Sequence, residues 1–173
     1  MSWLHPTLAH ALRRPAPYSF WRSSLQLRAG QRPLQDWLVE QANLRGFHGA
    51  YNREGPSGPL DRELTLEEIV VALCAPQAPA EGRVFKLVVR ILQSGRVDAR
   101  HLTWLARREM AGSVLWWLLD LVPAGERTPS LTAIVAAFGG PPRGYRGLDY
   151  DYDPQRLVRQ PFKREQPWRT PHR

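Results

Sequence analysis

The sequence has little cysteine and no long hydrophobic run. Its 173 residues include one cysteine, Cys74, so an internal disulfide is impossible and the disulfide-rich secreted domains are excluded. The longest apolar run, residues 114–122, is interrupted by Asp120. It is far shorter than the roughly 20 residues that a membrane-spanning helix needs. These absences predict a cytoplasmic protein that does not insert into a membrane.

The motifs of the common enzyme and metal sites are also missing. There is no phosphate-binding glycine loop, dinucleotide fingerprint, His-Glu-x-x-His motif or paired-cysteine metal site, and the histidines are scattered. Asp149, Asp151 and Asp153 have the spacing that opens a calcium loop, but Pro154 and Gln160 stand where that loop needs glycine and glutamate. We therefore expect a non-enzymatic protein without a catalytic site, a metal or a cofactor.

Acidic residues are absent from the first 35 positions, and the positive charge is unevenly placed. Residues 1–35 carry a net charge of +5, residues 36–142 carry −1 and residues 143–173 carry +4, which together give +8. A near-neutral middle with two cationic ends indicates an anionic partner, which is nucleic acid, an acidic protein surface or anionic lipid. A genome-wide bias towards arginine and proline codons is the alternative explanation of the composition.

Basic side chains alternate with aromatic ones in the C-terminal segment, a pattern that suits phosphate contact combined with base stacking. The same segment could instead wrap around a partner protein or have no binding role. Near the other end, Trp21 beside Arg22 could stack on bases or pack its arm onto the rest of the protein. The candidate binding residues are Arg13, Arg14, Arg22, Arg28, Arg32, Arg143, Tyr145, Arg146, Arg156, Arg159, Phe162, Lys163, Arg164, Trp168 and Arg169.

Hydrophobic residues recur at helical spacing through the middle of the chain. The clearest case is residues 82–94, whose large aliphatic side chains share one helical face. Gly95 follows as a C-terminal cap, and Asp98 can cap the next helix, residues 98–111. We expect Met110 to face inward there and Glu109 to face solvent. The short connection predicts that these two helices are antiparallel neighbours.

Further helices are predicted on either side of this pair. They cover residues 2–14, 33–45, 113–122 and 130–138, and another begins at the capping box formed by Thr65 and Glu68. Residues 18–28 are aromatic and partly alternating, which favours a short strand or an extended arm.

The predicted fold is therefore mostly α, a small irregular helical bundle with extended basic N-terminal and C-terminal arms. Pairs of HEAT type are an alternative, although no fixed repeat of about 34 or 40 residues is visible. The predicted organisation has three parts: a basic arm with a short helix in residues 1–30, a helical domain in residues 31–140 and a basic, proline- and aromatic-rich tail in residues 141–173.

Three segments resemble a known family. Residues 64–73 (LTLEEIVVAL), 96–106 (RVDARHLTWLA) and 115–121 (LWWLLDL) look like the helical C-terminal domain of AbiEi-like abortive-infection antitoxins. The resemblance covers about residues 64–122, and the winged-helix region of that family is not recognisable in residues 1–60. It implies a bacterial helical module that neutralises or scaffolds a partner.

Two functions follow as the leading expectations, and an enzyme of unrecognised type, which would need a pocket with convergent titratable groups, is a third. The first is a nucleic-acid-binding protein whose basic arms contact the ligand within a nucleoprotein complex, such as a ribonucleoprotein. The second is an adaptor or antitoxin-like inhibitor that forms a hetero-complex with a protein through its helical domain.

Overall fold

The computed structural model describes residues 20–48, 58–75, 78, 81–143 and 145. Within these residues the chain forms α-helices and one short 3-10 turn, Ala124–Glu126, and no strand, which confirms the mostly α fold class. The helix expected over residues 2–14 lies outside the described residues. The helices are α1 (Phe20–Ala29), α2 (Leu34–Leu44), α3 (Leu66–Cys74), α4 (Gly82–Gln93), α5 (Ala99–Arg108), α6 (Gly112–Asp120) and α7 (Pro129–Phe138).

Local capping signals set several of the helix ends. The Thr65 hydroxyl accepts a hydrogen bond from the Glu68 amide at 3.2 Å, and the Glu68 carboxylate accepts one from the Thr65 amide at 2.9 Å. This confirms the predicted capping box, which satisfies two amides that lack a helical partner. Asp98 caps α5 by accepting from the His101 amide at 2.6 Å. Gly95 has φ +75°, a conformation that glycine adopts at little cost.

Helix α3 lies at the centre of the bundle. All of its residues except Glu68 are buried, and it packs against α2, α4, α5 and α6. The side chain of Glu67, although buried, accepts a hydrogen bond from the Asp98 amide at 2.6 Å. A helix that is apolar nearly all round can be stable in water only when other helices cover it. The surrounding helices therefore take their positions from α3.

The expected pairing of the two helices joined at Gly95 is wrong. Helices α4 and α5 make little direct contact; instead, both pack against α3 and α7. The connection is short, but α3 and α7 cover the buried face of each of these helices. Packing of these faces, rather than connection length, decides which helices are neighbours.

Residues 18–28 are not a strand or an extended arm over their described part, because α1 begins at Phe20. Leu25 and Ala29 are buried in the common core, and α1 packs against α2. Aromatic residues favour strands only where a pleated surface is available to pack on. Here the spacing of Trp21, Leu25 and Ala29 places them on one face of a helix, and tertiary packing stabilises it.

The end of α5 reverses the expected orientation of two side chains. Glu109 is 6% exposed and Met110 is 52% exposed, whereas the helical period predicts the opposite. Met110 has φ +60°, so the helix has already ended at Arg108 and the periodicity no longer applies. No helix among the described residues has the length and the apolar character needed to cross a membrane.

Candidate functional site

Three of the arginines predicted to bind a ligand contact the protein itself. The Arg22 guanidinium donates a hydrogen bond at 2.6 Å to the Ala72 carbonyl, in the last turn of α3. Carbonyl groups there carry the negative end of the helix dipole, which favours a cation. Burial lowers the pKa of Arg22, and the nearby charge of Glu109 acts in the opposite direction. Arg22 therefore fastens α1 to α3.

Arg28 and Arg32 form ion pairs around the start of the bundle. Arg28 binds Asp61 with two hydrogen bonds, at 2.8 Å and 2.6 Å. This hydrogen bonding is the main cause that raises the pKa of Arg28 and lowers the pKa of Asp61. Arg32 pairs with Glu40 of α2. Both arginines thus join α1 and the residues after it to other parts of the fold.

The remaining predicted residues divide into two that the structure describes and ten that it does not. Arg143 is exposed in a turn after α7. Tyr145 is half-buried against the core, and its pKa is raised by this burial and, to a smaller extent, by the charge of Asp120. The residues outside the described part are Arg13, Arg14, Arg146, Arg156, Arg159, Phe162, Lys163, Arg164, Trp168 and Arg169.

The outer face of α5 is a cationic surface that the list of candidate residues did not include. Trp104 is four residues after Arg100, three before Arg107 and four before Arg108, and these spacings place the four side chains on one side of a helix. Each of them is exposed, as is His101 beside them. Residues 99–108 contain three arginines and no acid. We call the exposed side chains of Arg100, His101, Trp104, Arg107 and Arg108 the α5 outer face.

Trp104 lies at the centre of the α5 outer face and is 55% exposed. The His101 ring stacks on its indole with the ring centroids 6.0 Å apart, and the Arg108 guanidinium carbon lies 4.6 Å from its ring centroid. Arg108 is also 5.9 Å from the Trp21 ring centroid. The negative face of an indole attracts cations. The contacts therefore form a line of aromatic and cationic groups that runs from α5 to α1.

Two members of the α5 outer face are also positioned by the bundle. Arg107 donates to the Phe138 carbonyl at the end of α7 at 3.2 Å. The Arg108 Nε donates to the buried Glu109 carboxylate at 2.6 Å. These bonds use part of each guanidinium, which has five N–H donors in total. The face is thus held in place by the fold.

Other arginines stabilise the fold by donating hydrogen bonds to backbone carbonyls. Arg45 donates to the carbonyls of Asp61 and Leu64, and Arg127 donates to the Val122 carbonyl at 2.9 Å. Arg96 donates to the Arg45 carbonyl at 2.9 Å. Carbonyls at helix ends and in loops lack helical donors, and arginine supplies several at once. Part of the high arginine content is therefore used to hold the fold.

Chemistry of other kinds has little support in the described residues. No group of three or more histidine, cysteine, aspartate or glutamate side chains is arranged there to hold a metal ion. Cys74 is buried in the core, and desolvation raises the pKa of its thiol, which keeps it protonated and unreactive.

Comparison of the chain with protein-family models, with curated proteins and with solved structures found no match in any of the three. The resemblance of residues 64–122 to the antitoxin domain stays a prediction. The assignment of a function rests on the residues and their geometry.

Proposed function

We propose that this protein is a non-enzymatic, nucleic-acid-binding component of a nucleoprotein complex. The observation that carries the proposal is the α5 outer face, where Arg100, Arg107 and Arg108 surround an exposed tryptophan and only Arg108 is paired with an acid, the buried Glu109. At the basic ends of the chain, Arg13 and Arg14 are the arginines of residues 1–35 that the proposal leaves for the ligand, and residues 143–173 add a net charge of +4. The helical bundle presents the face, and the arms extend the contact.

The charge arrangement supports a polyanion as the ligand. Phosphate groups are bound through arginine, and their condensed counterions are released on binding, which supplies much of the affinity. Arg22, Arg28 and Arg32 have structural partners, so under this proposal they hold α1 in place. The contact with phosphates then belongs to the α5 outer face, Arg143 and the arm residues outside the described part. The proposal includes a cytoplasmic location.

The salt dependence of binding tests the proposal. Full-length protein is titrated into a fluorescently labelled oligonucleotide at several salt concentrations, and the fluorescence anisotropy is measured. We expect the logarithm of the association constant to fall linearly with the logarithm of the salt concentration. Replacing Arg100 by glutamine should reduce the slope by about 1, because one phosphate contact is lost.

Arg62 provides the matched control for Arg100. It is an exposed arginine in the loop before α3, outside the α5 outer face. Arg62→Gln makes the same change of net charge but should leave the slope close to that of the parent. Equal effects of the two substitutions would show that only overall charge matters. Absence of binding by the parent protein at low salt would refute the proposal.

Exposed leucines favour a second candidate function, the adaptor or antitoxin-like inhibitor. Leu27 of α1 is 83% exposed and Leu60 is 44% exposed. Each directly precedes a member of the Arg28–Asp61 ion pair, so both lie where α1 meets the loop before α3. Large exposed apolar side chains in one region mark surfaces that bind proteins.

Nuclease treatment separates the two functions. Complexes captured with full-length protein are incubated with nuclease and washed at high salt. One stoichiometric protein partner that remains bound supports the adaptor. Loss of the captured material with its nucleic acid supports the first proposal.

A further inference from the structure

We propose that the α5 outer face binds single-stranded nucleic acid by stacking an unpaired base on Trp104. This inference rests on the proposed function and specifies its ligand. It assigns Trp104 to the base and Arg100, together with Arg107, to the flanking phosphates.

Packing in the core does not explain why a tryptophan is present at position 104. Helix α5 buries Leu102, Thr103, Leu105 and Ala106, and these residues hold it against its neighbours. Trp104 lies on the opposite side and is 55% exposed. His101 stacks on the indole and Arg108 lies over its ring, so the base stacks on the part of the ring that these two side chains leave exposed.

The surroundings of Trp104 match a nucleotide. A base has a flat π face and lies next to a negatively charged phosphate, and stacking on an aromatic side chain needs no particular base. Arg100 and Arg108 are one helical turn before and after Trp104, about 6 Å away along the helix axis. The guanidinium of Arg108, 4.6 Å from the indole centroid, also offers a planar cationic surface.

A single strand fits this arrangement better than a duplex does. In a duplex the faces of the bases are covered by the neighbouring base pairs, so a tryptophan on a helix surface meets phosphates or groove edges. In a single strand the bases can turn outward and stack on aromatic side chains. Trp104 is the central residue of the α5 outer face. Its indole has one N–H donor, which is too few to distinguish base edges by hydrogen bonding.

The test compares two ligands and three substitutions in the full-length protein. The ligands are a labelled oligothymidylate of about 12 nucleotides, within the range bound by single-strand-binding folds, and a duplex of the same length. The parent should bind the single strand more tightly than the duplex. Trp104→Ala should weaken single-strand binding about tenfold and change duplex binding less than about twofold. Trp104→Phe, which keeps an aromatic ring, should retain most of the affinity.

Leu44→Ala is the matched control. Leu44 is an exposed apolar residue at the end of α2, and its truncation should leave binding to both ligands unchanged. Thermal unfolding of each variant reports whether the bundle is intact.

The outcomes distinguish the inference from the function on which it rests. Parent protein that prefers the duplex, or Trp104→Ala protein that binds the single strand as tightly as the parent, would overturn the inference while nucleic-acid binding stands. Parent protein that binds neither ligand would overturn the proposed function as well. Loss of single-strand binding by Trp104→Ala, with retention by Trp104→Phe and Leu44→Ala, supports base stacking.

Discussion

Arg45 and Arg100 carry the same side chain in opposite settings. Arg45, just after α2, donates hydrogen bonds to the carbonyls of Gln41 and Leu64 at 2.8 Å and 2.6 Å and to that of Asp61, and burial lowers its pKa. Arg100 lies exposed on the α5 outer face beside Trp104. One arginine completes the hydrogen bonding of a loop, whereas the other places its charge in solvent.

This difference shows that the net charge of the chain does not give the number of side chains that bind a ligand. Arginine is common in the chain because a planar group with several donors satisfies carbonyls at helix ends and in loops. The same chemistry makes arginine suitable for phosphates. The position of each guanidinium in the fold decides which of the two roles it has. Substitutions that keep a long side chain but remove the donors measure how much each arginine contributes to stability.

The largest effect on stability is expected at Arg45. Arg45→Met keeps a long apolar stem but removes the donors to three carbonyls, and we expect a loss of about 2–3 kcal/mol in the free energy of unfolding. Arg100→Met should change it by less than about 0.5 kcal/mol, because no buried group loses a partner. Denaturant unfolding followed by circular dichroism measures both. Equal effects at the two positions would contradict the comparison.

A smaller effect is expected at Arg22, which joins α1 to the last turn of α3. Arg22→Met should lower the free energy of unfolding by about 1–2 kcal/mol, because the partly buried Ala72 carbonyl loses its charged donor. Amide hydrogen exchange should increase in α1 more than in α4. Uniform acceleration throughout the bundle would show that Arg22 does not act locally on α1.

The smallest effect is expected for the Arg28–Asp61 pair, whose side chains are 30% and 21% exposed. The pKa of Asp61 is lowered in the folded protein, chiefly by its hydrogen bond to Arg28, from the ordinary value of 3.8. Its contribution is therefore present above pH 3.8 and is lost as the pH falls through the lower folded value. Asp61→Asn should cost less than about 1 kcal/mol near neutral pH, since solvent screens the pair.

Acid unfolding checks this last expectation. The difference in stability between the parent and Asp61→Asn should shrink as the pH is lowered below 3.8, because the parent loses the pair as well. A difference that stays constant with pH would contradict a role of the Asp61 charge, because Arg28 and the amides of Glu63 and Leu64 all lower the pKa of this carboxyl by favouring its charged form.

Three local patterns in the sequence predicted the structure correctly. The capping box at Thr65, the cap at Asp98 and the glycine at position 95 form in the structure as their sequence patterns predict. Each depends on a side chain and a backbone group a few residues apart, so neighbouring positions contain all the information required.

Features that depend on distant residues were predicted less well. The strand-like pattern of residues 18–28 belongs in its described part to a helix, because Trp21 and Arg22 contact Glu68 and Ala72 of α3. The orientation of Glu109 was also missed, since it follows from the positive φ of Met110 and not from periodicity. The α5 outer face could have been found earlier: the absence of any acid among three arginines in residues 99–108 is visible in the sequence.

The sequence by itself determined the helical class, several helix ends and the uneven distribution of charge, because periodicity, capping and composition are local properties. Tertiary structure decided that α3 is central, that α4 and α5 are separated, and which arginines face inward. The physical reason is that a carbonyl acceptor or an apolar face becomes available to a residue only when packing brings it there. Arg22 and Ala72, 50 positions apart in the chain, meet only in the folded bundle.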